Sequence, residues 1–141
     1  MIAFAKKFGE SLGLKTSVDE TGNVIIKKPG TKGLENRPIL ALQSHLDMVH
    51  QKNNDTKFDF ATEGIKMEVD GDWVKAKGTT LGADNGIGVA AIMALLSSTD
   101  IPHPPLEALF TIDEETGMTG AFKLEPGILR GSILLNTDTE D

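Results

Sequence analysis

Hydrophobic and polar positions divide the chain into distinct stretches. Ile2, Phe4, Ala5, Phe8 and Leu12 recur at near-helical spacing and Gly13 offers a stop, so residues 1–12 read as the last turns of a helix. Residues 15–18 and 24–28 alternate around Glu20-Thr21-Gly22-Asn23, which predicts a hairpin. Residues 39–45 form an apolar run with the length and residue types of a buried strand. Residues 51–63 are polar and aperiodic, a loop. Residues 65–69 and 73–76 flank Asp70-Gly71-Asp72, a second hairpin in which Trp73 is expected to pack. The turn-prone stretch from Gly82 to Gly86 predicts irregular backbone. Residues 87–96, apolar nearly all round, predict a buried helix ended by Pro102, Pro104 and Pro105. Residues 106–112 and 132–136 read as two further buried strands, with a short helix over 118–124 between them. Met48, Met67, Met93 and Met118 read as core fillers.

Strands alternating with helices point to an α/β fold: a mixed, partly parallel sheet flanked by helices, with hairpin additions. No internal repeat or linker divides the chain.

The chemistry begins where the first buried strand ends, at Ser44-His45-Leu46-Asp47. Side chains two apart on a strand share a face, so His45 and Asp47 point the same way. A neutral imidazole is a good ligand for a zinc-class metal, and a nearby carboxylate can orient it. The second strand ends at Glu114 and Glu115 and the third at Asp138. Ligands of open α/β sheets sit beyond the C-terminal ends of the strands, so parallel strands would bring these residues together. Asp84, in the glycine-rich loop, can join them. Carboxylates gathered in one crevice resist simultaneous ionisation, and one or two divalent cations relieve that conflict. Nitrogen and carboxylate ligands suit Zn2+, with Mn2+ or Co2+ as substitutes. Two such ions would polarise a carbonyl and generate hydroxide. Neighbours on a strand face opposite ways, so a turn must bring Glu114 and Glu115 to the site together, one to ligate and one to move a proton. His50 and His103 are expected to stay outside it.

Composition narrows the partners. A net charge of -7 argues against nucleic acid. The absence of cysteine excludes disulfides and thiolate metal sites. No apolar run is long enough to span a membrane and the N-terminus does not read as a signal peptide, which fits a cytoplasmic protein. Gly86-Ile-Gly88-Val-Ala-Ala91 imitates a dinucleotide fingerprint, but no buried strand leads into it and Asp84 would repel a pyrophosphate. No nicotinamide cofactor is expected.

Four segments carry a resemblance. They are Ser44-His-Leu-Asp-Met-Val49, the stretch Lys77-Gly-Thr-Thr-Leu-Gly-Ala-Asp-Asn-Gly-Ile-Gly-Val-Ala90, the stretch Leu109-Phe-Thr-Ile-Asp-Glu-Glu-Thr-Gly-Met-Thr-Gly-Ala121, and Leu135-Asn-Thr-Asp-Thr-Glu-Asp141. In this order they resemble the aminoacyl-histidine dipeptidases, cytosolic Xaa-His dipeptidases of the di-zinc exopeptidase and aminoacylase superfamily. The resemblance covers residues 15–141. It implies a zinc-exopeptidase-like catalytic domain acting on small peptides. His45 and Asp138 would ligate one metal, Glu115 the other, and Asp84 would bridge them. Glu114 would be the general base, and Asp47 the catalytic carboxylate that orients His45. The Asp84–Asn85 peptide would be cis. The family also has a further ligand histidine downstream, and a lid domain through which it forms homodimers. Residues 1–141 are therefore read as a partial catalytic domain, weak in metal binding and inactive alone. The alternatives are another di-zinc exopeptidase or deacylase (tripeptidase, carboxypeptidase or aminoacylase) and a non-catalytic metal-binding remnant. The residues by themselves argue for a metallohydrolase; only the resemblance supplies dipeptides.

Overall fold

A computed structural model describes residues 1–138. Helix α1 (Ile2–Ser11) leads into strands β1 (Lys15–Val18) and β2 (Val24–Lys28). The Asp19 carboxylate closes this hairpin by accepting the N–H groups of Thr21, Gly22 and Asn23 at 2.8–3.0 Å. Next come β3 (Leu40–His45), the strands β4 (Met67–Asp70) and β5 (Trp73–Ala76), and helix α2 (Ala83–Ser97). Strand β6 (Leu106–Thr111), the one-turn helices α3 (Glu114–Gly117) and α4 (Thr119–Phe122), and β7 (Ile133–Asn136) complete the order.

The main sheet runs β1-β2-β6-β3-β7, and β4 with β5 makes a separate ribbon. β1, β2 and β6 are antiparallel neighbours, whereas β6, β3 and β7 are parallel. The mixed, partly parallel sheet is thus as expected. Its register decides the site. His45 lies opposite Thr111, and Gln43 opposite Asn136, so all three parallel strands end along one edge.

Val24, Ile26, Leu42, Ala108 and Phe110 project from the sheet into a core closed by Ala5 of α1 and by Val89, Ile92 and Leu96 of α2. Burying these side chains is the main force holding the helices on the sheet. Among the described residues no helix is long and apolar enough to cross a membrane.

Four expectations need correction. Helix α2 buries one stripe, not its whole circumference: Gly88, Val89, Ile92 and Leu96 face inward while Ile87 is exposed. Strand β7 is exposed on Ile133, Leu134 and Leu135, because it sits at the sheet edge with β3 as its paired neighbour. Trp73 is 72% exposed and does not pack its hairpin, which forms a ribbon apart from the sheet. Met67 and Met118 are exposed too, so neither fills the core.

Glu107 is the charged residue within the buried β6, and it is only 3% exposed. One carboxylate oxygen takes the Lys27 ammonium at 2.6 Å; the other accepts the N–H groups of Arg130 at 2.6 Å and Gly131 at 3.0 Å. Burial alone would raise its pKa, but these partners prevail and hold it below its ordinary 4.5. The carboxylate thereby ties the chain before β7 to the sheet. Glu107→Ala should cost about 2–4 kcal/mol in urea unfolding, since it leaves the Arg130 and Gly131 N–H groups without their acceptor and Lys27 with the Ile128 carbonyl but no countercharge. A group with a depressed folded pKa contributes stability that is complete above its unfolded value and is lost as pH falls through the folded one. Glu107→Gln should therefore show a shallower loss of stability below pH 4.5 than the wild-type chain.

Candidate metal centre

His45 ends β3 with its imidazole 1% exposed. Nδ1 lies 3.0 Å from the main-chain carbonyl of Asp47, which can only accept, so Nδ1 carries a proton. The opposite edge of the ring, Nε2, faces Asp84 Oδ1 at 3.0 Å, Asp138 Oδ2 at 3.7 Å and Glu114 Oε2 at 3.9 Å. The Asp47 carboxylate was expected to orient the ring. It stands 3.5 Å from Nδ1, farther than the Asp47 carbonyl. Its two oxygens instead accept the N–H groups of Glu114 at 3.1 Å and Glu115 at 3.0 Å. Asp47 thus orients His45 chiefly through its main chain, and its side chain fixes the start of α3.

Each carboxylate arrives on its own device. Gly82 opens α2 at φ +77, a conformation that disfavours side chains, and a Cβ there would fall 2.7 Å from Met48 Sδ. Asp84 and Asn85 depart from helical dihedrals, and the peptide between them is cis, as the resemblance implied. Asp113 adopts φ +60 before α3, and its carboxylate accepts the hydroxyls of Thr116 and Thr119. Those bonds hold its pKa below the usual range. Glu114 and Glu115 occupy the first turn of α3, where a helix rather than a loose turn presents both. Asp138 follows β7, whose end is clipped to β3 by the Thr137 N–H on the Gln43 carbonyl at 3.1 Å.

Two ligand sets result. His45, Asp84 and Asp138 can each offer an atom with all three within 4.8 Å of one another, and so can His45, Glu114 and Glu115. Burial alone would lower the His45 pKa; the hydrogen bond to Asp84 and the charges of Asp47, Asp138 and Glu114 outweigh it and raise it. Burial raises Glu114, and Asp138, Glu115 and Asp47 push the same way against the opposing pull of His45. With Nδ1 committed as a donor, a neutral ring turns the Nε2 lone pair toward the Asp84 carboxylate. A proton or a metal cation between them resolves that contact, and the donor set of one imidazole and several carboxylates fits Zn2+.

Residues 41–135 match peptidase family M20/M25/M40. The chain belongs to this family. It is 54% identical over 129 residues to a cytosol non-specific dipeptidase of Escherichia coli (strain K12), an alignment covering 92% of this chain and 27% of that protein. It superposes on an aminoacylhistidine dipeptidase from Vibrio alginolyticus with a TM-score of 0.95 at 55% identity, covering 99% of this chain and 28% of that one. A tripeptidase from Staphylococcus aureus gives a TM-score of 0.80 at 26% identity, covering 99% and 37%. The chain thus spans about a quarter of the length of the dipeptidases it matches.

All six residues singled out from the sequence lie at this one sheet edge, while His50 packs tilted against Phe60, ring centres 5.2 Å apart, and His103 bonds the Pro104 carbonyl through Nδ1. Ser44, Asn85 and Thr137 were not anticipated; each is the immediate neighbour of a candidate ligand. If Asp47 sets α3 in place, Asp47→Ala should weaken Zn2+ binding about 10- to 100-fold in calorimetric titration, the range typical of groups that hold metal ligands.

Proposed function

We propose that these residues form the metal-binding core of a metallodipeptidase that hydrolyses dipeptides, those of Xaa-His type among them. The observation that carries this reading is the convergence of His45, Asp84, Asp138, Glu114 and Glu115 on one edge of the sheet. Metal dependence is a general property of the family, and the likeness to dipeptidases at 54–55% identity favours dipeptides over the tripeptide substrate named for the relative at 26%. The likeness to a cytosol dipeptidase extends the reading to a cytoplasmic protein, and the family resemblance adds a homodimer formed through the lid domain.

In this reading His45, Asp84 and Asp138 would hold one Zn2+, and Asp84 with Glu115 would hold a second. The ions would polarise the scissile carbonyl and lower the pKa of the attacking water. Glu114 takes up the proton from that water and returns it to the leaving amine. Asp47 keeps Glu114 and Glu115 at their stations through their N–H groups. Catalytic zinc sites usually have three protein ligands. The first ion has three here. The second would have two among these residues, which would leave the isolated chain inactive.

The test is Zn2+ titration by calorimetry on the chain and on Asp84→Ala. The variant is expected to lose at least about tenfold in affinity; unchanged binding would refute the bridging role. Glu114→Ala should leave the metal content of an active protein bearing these residues intact while abolishing turnover. Loss of metal instead would exchange the roles of Glu114 and Glu115. Hydrolysis of a Xaa-His dipeptide by the 141-residue chain alone would remove the need for a further ligand.

A further inference from the structure

Each of the three residues assigned to the first ion has a polar neighbour in sequence, and the three neighbours meet. Ser44 precedes His45, Asn85 follows Asp84, and Thr137 precedes Asp138. Ser44 Oγ donates to Asn85 Oδ1 at 2.8 Å. Thr137 Oγ1 lies 3.4 Å from the same oxygen and gives its proton to the Gln43 carbonyl at 3.0 Å. Ser44 and Asn85 are buried, at 0% and 3% exposure. Gly88, one turn along α2, forms the floor. A Cβ there would overlap Asn85 Oδ1 and Thr137 Oγ1 and approach Ser44 Oγ to 2.9 Å. One amide oxygen is therefore the meeting point of β3, the start of α2 and the segment after β7.

The arrangement is a poor choice for stability alone. Asn85 Nδ2 is buried with no acceptor among the described residues, a cost that an apolar side chain would avoid. The knot also divides the site. It touches the neighbours of His45, Asp84 and Asp138, whereas Glu114 and Glu115 are held separately by Asp47.

We propose that Ser44, Asn85 and Thr137, packed on Gly88, are positioning residues that fix the spacing of His45, Asp84 and Asp138 and so set the affinity and geometry of the first ion. This rests on the metal reading above. Groups that hold metal ligands in place typically contribute 10- to 100-fold in affinity. A hydroxyl that merely fills space would not reach the ion at all.

The experiment uses Co2+ as the probe, titrated into the 141-residue chain and followed by calorimetry and by visible absorption. Thr137→Val and Ser44→Ala are compared with wild type, with Thr137→Ser as the conservative variant and His45→Ala as the reference for loss of the site. Thr137 is largely exposed, so Thr137→Val is compatible with folding, which the metal-free unfolding midpoint checks. Thr137→Val and Ser44→Ala should bind Co2+ about tenfold or more weakly, with altered visible bands, and Thr137→Ser should restore both affinity and spectrum. His45-dependent binding that Thr137→Val leaves unchanged in affinity and spectrum, even with a lowered unfolding midpoint, would overturn this proposal alone. Absence of any His45-dependent Co2+ binding by the wild-type chain would overturn the metal reading and this proposal with it.

Discussion

A neutral imidazole cannot satisfy both contacts that His45 makes. Its Nδ1 must donate to the Asp47 carbonyl, which leaves the Nε2 lone pair 3.0 Å from an oxygen of Asp84 with two more carboxylates within 3.9 Å. Rotating the ring away would break the bond to Asp47, and the ring is buried too deeply to escape. The site is thus arranged around a position where positive charge must sit. The upward shift of His45 is the proton's answer to that demand, and a divalent ion answers it more strongly because it also neutralises the carboxylates.

That local demand is met only because the backbone delivers the groups from distant parts of the chain. The parallel register of β6, β3 and β7 lines up their ends. Two polar devices then refine the placement. Asp47 reaches from the end of β3 to the first N–H groups of α3, so the histidine strand and the glutamate helix share one carboxylate. At the far end of the same strands, Glu107 joins β2 to the chain entering β7. β7 itself presents exposed apolar side chains and gains little from burial, so specific hydrogen bonds carry much of the duty of fixing Asp138.

Much of this was legible in the sequence, for identifiable reasons. The runs ending at His45 and Thr111 are largely apolar and bounded by turn residues, which is the signature of strands buried on both faces. The run Ile133-Leu134-Leu135 looks the same yet is exposed, because composition reports what a strand could bury and not which neighbours it has. Helix α2 misled in the opposite way. Its glycines and alanines make it apolar all round, although only the stripe through Val89, Ile92 and Leu96 reaches the sheet. His45, Asp47, Glu114 and Glu115 are each commonplace alone and stood out because several strands end in such residues and because the resembling segments contain them. Ser44, Asn85 and Thr137 did not, since hydroxyls and amides are common everywhere and these acquire meaning only where the fold brings them to one atom. The carbonyl of Asp47 was invisible for the same reason: every residue has one.

The distribution of support through the site also constrains how metal and fold act on each other. A ligand that binds only the folded chain stabilises it in proportion to its occupancy. Here the gain is not evenly spread. His45 ends a strand flanked by β6 and β7 and stays in place through its burial and its bond to Asp47. Asp84 is largely exposed, at 70% of its side chain, and Asp138 hangs from an exposed edge strand. Without a cation these two carboxylates repel each other and Glu114, so like charge works against the elements with the weakest packing. In the proposed reading a bound ion would reverse that sign at the same places. In that reading, metal binding would therefore stabilise the α2 start and the β7 end most, with the buried strand β3 as the fixed reference.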